Sequence, residues 1–162
     1  MKPRELDLPD YQAVLQEVGM LHQKGYEPVG NWDLAQVLNH LAYFMQGALE
    51  GSQFKVPWIF KALFGKMVLR RILTSKRMKR GQFTPQRPLP PSGLDESEAV
   101  KNFHVMVHRF VNYQGEYVPS PFFGKMTREE CQELNRIHCN HHLGYLIPQR
   151  QFPLKMQAKN LS

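Results

Sequence analysis

Several things are scarce in this chain, and each scarcity removes a class of protein. Two cysteines occur in 162 residues, so at most one internal disulfide could form. Cys131 and Cys139 fall on one expected helix, and two helical turns hold them about 12 Å apart, too far for that bridge. A disulfide-stapled secreted fold is thereby excluded, and a reducing, cytoplasmic setting is expected. No apolar run approaches the ~20 residues that cross a bilayer, so no transmembrane segment is expected. The opening "MKPRELDLPDYQ" mixes charges of both signs and does not resemble a secretory signal. Convincing strand alternation and internal repeats are missing too.

Acid is absent from one long stretch. Lys55 to Arg87 holds ten Lys and Arg and neither Asp nor Glu. The whole chain carries +7, so everything outside that stretch sums to −3. The basic character therefore belongs to one segment, and any argument from it concerns that segment alone.

The composition, 42% hydrophobic and 22% charged, is that of an ordinary globular protein, and the length fits one domain over residues 1–162. Helical periodicity organises it. "DYQAVLQEVGMLHQKG" places Tyr11, Val14, Leu15, Val18 and Leu21 on one stripe, with Asp10 as N-cap and Gly25 as stop. "NWDLAQVLNHLAYFMQGALEG" repeats the pattern after an expected cap at Asn31. The basic segment "VPWIFKALFGKMVLRRILTSKRMKRG" reads as one or two short amphipathic helices, followed by a proline-rich crossing. A further helix in "DESEAVKNFHVMVHRFVNYQ" has an acidic first turn. The last follows Thr127, whose Glu130 three residues on is a capping-box signature. The expected class is all-α: a four-helix bundle with a short helical insert and long crossover, about residues 55–94, between the second and third long helices.

Three histidines stand out on these helices. Each residue advances ~100° around a helix, so on the last helix His142 lies ~40° from His138, and His141 lies ~60° to the other side. Leu134, Tyr145 and Cys131 share that arc. On the second helix His40 sits at the centre of the inward stripe, between Gln36, Val37, Tyr43 and Phe44. Bundle helices pack ~8–10 Å apart, close enough for imidazoles of both to meet. Three imidazoles packed in a core without an ion need partners for several ring nitrogens, at ~1–3 kcal/mol for each group left unsatisfied. A divalent ion meets that need, since neutral imidazole suits Zn, Ni, Cu or Fe. His104 and His108 share the i, i+4 spacing, but His108 points to solvent and His104 to the boundary of the apolar stripe. His22 lies near a helix end, ~12 Å along the axis from His40, and reads as a capping or packing residue.

The segments "GNWDLAQVLNHLA" and "PFFGKMTREECQELNRIHCNHHLGYLIP" resemble the DinB-like superfamily of four-helix-bundle metalloenzymes, in a bacterial branch of unknown function. The resemblance implies an up-down-down-up bundle and one divalent metal held by His40, His138 and His142, the three residues that the geometry selects. Zn or Ni is the expected ion, with Fe or Mn as further options. Characterised branches of that superfamily include thiol S-transferases and a thiol-dependent isomerase, so a low-molecular-weight thiol is a candidate cosubstrate, although the chain resembles none of those branches specifically. The chain departs from the pattern at Ser120, where relatives carry histidine, and at Cys131, where they carry tryptophan.

Three protein ligands leave positions open for water or substrate, as in catalytic rather than structural metal sites. The expected activity is a thiol transferase or hydrolase acting on a small-molecule substrate, with His141, Tyr145 and Tyr43 as candidates for orienting it. No dedicated general base is evident. The competing reading is a non-catalytic, metal-stabilised bundle whose basic insert binds a membrane surface, nucleic acid or protein partner. No sequence-specific nucleic-acid motif is present, and a homodimer is compatible with the sequence.

Overall fold

The computed structural model describes residues 1–52, 64–79 and 89–149. The start of the basic insert, including Trp58, Ile59 and Phe60, and most of the proline-rich crossing lie outside the described residues. Among the described residues five helices form: α1 (Tyr11–Lys24), α2 (Leu34–Glu50), α3 (Lys66–Ser75), α4 (Glu96–Val111) and α5 (Arg128–Leu143). They make the protein mostly helical, as expected. A small ribbon accompanies them: β1 (Tyr26–Pro28) pairs antiparallel with β2 (Leu146–Pro148), Tyr26 opposite Pro148. Three residues per strand are too few to show alternation, which is why the pattern passes unseen in the sequence. No helix among the described residues is long and apolar enough to cross a membrane.

The caps follow local chemistry. Asp10 accepts from the Ala13 amide at 2.8 Å and starts α1. Gly25 ends it with φ 76°, a conformation that costs a β-carbon dearly. The expected cap at Asn31 is wrong by two residues: α2 starts after Asp33, whose carboxylate accepts from the Gln36 amide at 2.7 Å while the Gln36 side chain accepts from the Asp33 amide. A reciprocal pair outcompetes the lone amide of Asn31. Thr127 and Glu130 form the same box at the start of α5.

Val14, Val18 and Leu21 of α1, Val37, Leu38, Leu41 and Met45 of α2, and Phe103, Val107 and Phe110 of α4 build the main core. Cys131, Cys139 and Leu143 of α5 complete it. α2 packs most extensively on α4, and α5 lies against α1, α2 and α3. A second, smaller core forms where Leu69 and Ile72 of α3 meet Leu134 and Ile137 of α5. α5 is thus enclosed on nearly every side, even at Arg136, 5% exposed, whose guanidinium donates to Glu133 and to the Leu8 carbonyl. The reading of α5 as a helix with one inward face needs that correction.

Two glycines give a direct check on this packing. A β-carbon at Gly19 on α1 would meet nothing within 4 Å, whereas one at Gly65 would stand 2.5 Å from the Phe122 carbonyl oxygen. Gly19→Ala is therefore expected to stabilise the protein by about 1 kcal/mol through helix propensity. Gly65→Ala is expected to destabilise it, because backbone must move. Urea unfolding of both variants reads the signs.

Candidate metal centre

α2 and α5 each deliver imidazole to the same point. His40, near the middle of α2, is 3% exposed; His138 and His142, one turn apart on α5, are 9% and 8% exposed. Their ligand atoms all lie within 4.8 Å of one another. His40 Nε2 and His138 Nε2 are 3.3 Å apart, a contact in which one ring can donate to the other. The ring centroids lie 5.1 Å apart for His40 and His138, and 4.6 Å apart for each of the other two pairs. The spacing argument from sequence is met in space: all three side chains converge.

The walls are aromatic. Trp32 stacks on His142 with centroids 5.5 Å apart and planes 19° from parallel, and it also meets His40 at 4.8 Å. Phe44 presents an edge to His40 and to His138, each at 4.9 Å. Sequence reasoning had Phe44 only as a core position and missed Trp32 altogether. Its signal was there, since a large aromatic directly before a helix cap can fold back onto the first turns. The loop carrying Trp32 is fixed at both ends. The Leu34 amide donates to the Tyr26 hydroxyl at 2.8 Å, and the Val29 amide donates to the Tyr145 carbonyl at 2.8 Å.

The remaining candidates are less central. His141 is half-buried, its ring 5.0 Å from that of His142 and 5.4 Å from that of Tyr145. These two line one edge of the cluster. Tyr43 is one ring removed: it packs on Phe44 at 5.7 Å, and Phe44 meets the histidines. His104 and His108 are exposed on α4, so their matching spacing is incidental. His22 is held elsewhere, with Nδ1 2.8 Å from Glu96, whose other oxygen accepts from Tyr26. That triad ties α1, β1 and α4 together.

Electrostatically the cluster is unusual in what it omits. Among the described residues no carboxylate belongs to it, so an ion held here would keep its full double charge and would favour an anionic guest. The cysteines on α5 are not ligands: both are free and buried, and burial pushes the Cys131 thiol up to about 11 and Cys139 up to about 12. Neither is a thiolate near neutrality.

Comparison with known proteins adds one result. A family model described as "Protein of unknown function (DUF1569)" matches residues 1–149. The chain belongs to the DUF1569 family. That stretch includes every residue of the DUF1569 protein's histidine cluster and its aromatic walls. Neither a curated protein nor a solved structure matches it.

The raised thiols set a pH dependence. Unfolded cysteines titrate near ~8.5, so above that pH the folded state binds more protons than the unfolded state, and stability falls as pH rises. Burial of Tyr26, whose hydroxyl is pushed up to about 12, acts in the same direction. Stability is expected to be fully present below about pH 8.5 and to drop by at least about 2 kcal/mol from about pH 9 to about pH 11, read by urea unfolding. Iodoacetamide should leave both native thiols unmodified near neutrality. Ready alkylation would show that α5 does not enclose them.

Proposed function

We propose that this protein is a metal-dependent enzyme that holds one divalent ion through His40, His138 and His142 and acts on a small substrate, as a thiol transferase or a hydrolase. The proposal includes membership of the DinB-like superfamily, a single domain with the up-down-down-up bundle of that superfamily, and a cytoplasmic location. The observation that carries it is the 3.3 Å separation of His40 Nε2 and His138 Nε2, from helices far apart in sequence. Two nitrogens at ~2.0–2.1 Å from a tetrahedral zinc lie about 3.3 Å from each other, so the pair already stands at a coordination edge.

The donor set fits a borderline ion: Zn or Ni first, Fe or Mn next. When bound, such an ion lowers the pKa of water or of a low-molecular-weight thiol and so supplies a nucleophile near neutral pH. The chain's own residues do the rest. Trp32 and Phe44 lock the imidazole planes and keep bulk water from two sides. His141 and Tyr145, at the edge of the cluster, orient the substrate, and Tyr43 supports Phe44 from behind. No cluster member is a carboxylate, so an anionic substrate group or thiolate gains most from the ion.

A second reading, an ion that only fastens α2 to α5 in a non-catalytic bundle, draws on burial: no imidazole of the three is more than 9% exposed. The two readings part on solvent, since a catalytic ion keeps an exchangeable water while a scaffold ion is closed by protein.

Elemental analysis of the purified protein is expected to find one equivalent of a divalent metal. His40→Ala should lose it, together with on the order of 3 kcal/mol of the stability that a tightly bound ion confers. Unchanged metal content and unfolding midpoint in that variant would end the assignment. On the metal-loaded parent, turnover of an electrophile with a small thiol, or hydrolysis of a small ester, supports catalysis. Full metal occupancy with no exchangeable water supports the scaffold.

A further inference from the structure

The basic segment has a face that the fold leaves turned outward. α3 spends its apolar side on α5, through Leu69 and Ile72. Around the rest of the helix and its continuation, Lys66, Arg70, Arg71, Lys76, Arg77 and Lys79 are all exposed, with no acid anywhere in residues 66–79. Few of these charges are answered. Arg77 pairs with Glu5 at 2.7 Å, and Lys66 donates to the Lys125 carbonyl. Among the described residues Arg70, Arg71 and Lys79 make no ion pair.

The outermost position of this face is apolar. Counting ~100° per residue, Met67 lies opposite the direction midway between Leu69 and Ile72, with Arg70 and Arg71 to either side. Met67 is 61% exposed, and Phe64, just before α3, is 47% exposed. Exposed large apolar residues are few among the described residues, and two of them fall here, between cations.

We propose that the exposed face of α3 is a docking surface for anionic lipid headgroups, with the protein adsorbed on the membrane and not inserted in it. Deep insertion is ruled out by packing, since the apolar face of α3 already lies on α5. What remains is an electrostatic attraction worth about fivefold in partitioning per cation near an anionic surface, with shallow burial of Met67 at the headgroup level. A nucleic-acid backbone would meet the same charges but would gain nothing from an apolar residue at the apex. The charge distribution also orients the molecule: the chain outside Lys55–Arg87 is net negative, so an anionic surface attracts this face and repels the rest. The inference stands apart from the metal reading and does not depend on it.

The test is co-sedimentation of the full chain with vesicles of phosphatidylcholine and phosphatidylglycerol in equal parts, against vesicles of phosphatidylcholine alone. Binding to the anionic vesicles at low ionic strength, released by added salt, is expected. The double variant Arg70→Ala, Arg71→Ala should weaken partitioning about thirtyfold, with an unchanged unfolding midpoint because both side chains are exposed. Met67→Ser should weaken it further while leaving the salt dependence as it was. Absence of vesicle binding at low salt would overturn the proposal, as would equal binding to the neutral vesicles. Duplex DNA that displaces the protein from anionic vesicles at equal charge concentration, with Met67→Ser behaving as the parent, would assign the face to nucleic acid instead.

Discussion

His40 and His138 stand Nε2 to Nε2 across the seam between α2 and α5, and much of the surrounding structure serves to keep them there. One ring can donate to the other at that distance only if both nitrogens are aimed along one line, so the approach depends on the helices that carry them. α2 is set by the reciprocal cap of Asp33 and Gln36 and by its long contact with α4. α5 is set by enclosure: α1, α2, α3 and the residues before α1 all lie on it. A ligand pair on an exposed helix would shift with every fluctuation, whereas rotamers inside a close-packed interior are held by their neighbours.

Charge is sorted in the same spirit. Among the described residues the interior of the centre has imidazole and aromatic rings but no carboxylate, the thiols nearby are kept neutral by burial, and cations collect on the outside of α3. The small core between α3 and α5 joins these regions without mixing them. Leu134 and Ile137 receive α3 on the helix whose next residue is His138.

Much of this was legible in the sequence, and the limits have physical causes. Four long helices, the Asp10 and Thr127 caps and the convergence of His40, His138 and His142 all follow from period and spacing, because those properties are local to a helix. The start of α2 was misplaced since two short polar residues compete for one cap and only Asp33 has a glutamine three positions on. The ribbon escaped because three residues carry no period. Trp32 escaped because its role depends on a loop held to Tyr145, over a hundred positions away. The burial of Arg136 and Asn140 could not be read from pattern, as both are residues that ordinarily face water.

The pairing of β1 with β2 has a consequence for how the molecule comes into being. It joins Tyr26 to Pro148, and the imidazole contact bridges a separation of 98 residues. Contacts of such range pay their loop-closure entropy before any reward arrives. A growing chain on the ribosome therefore carries His40 for most of its synthesis with neither partner in reach. Any ion that this cluster were to hold could be captured only late in folding, after α5 has emerged and the ribbon has closed beside it.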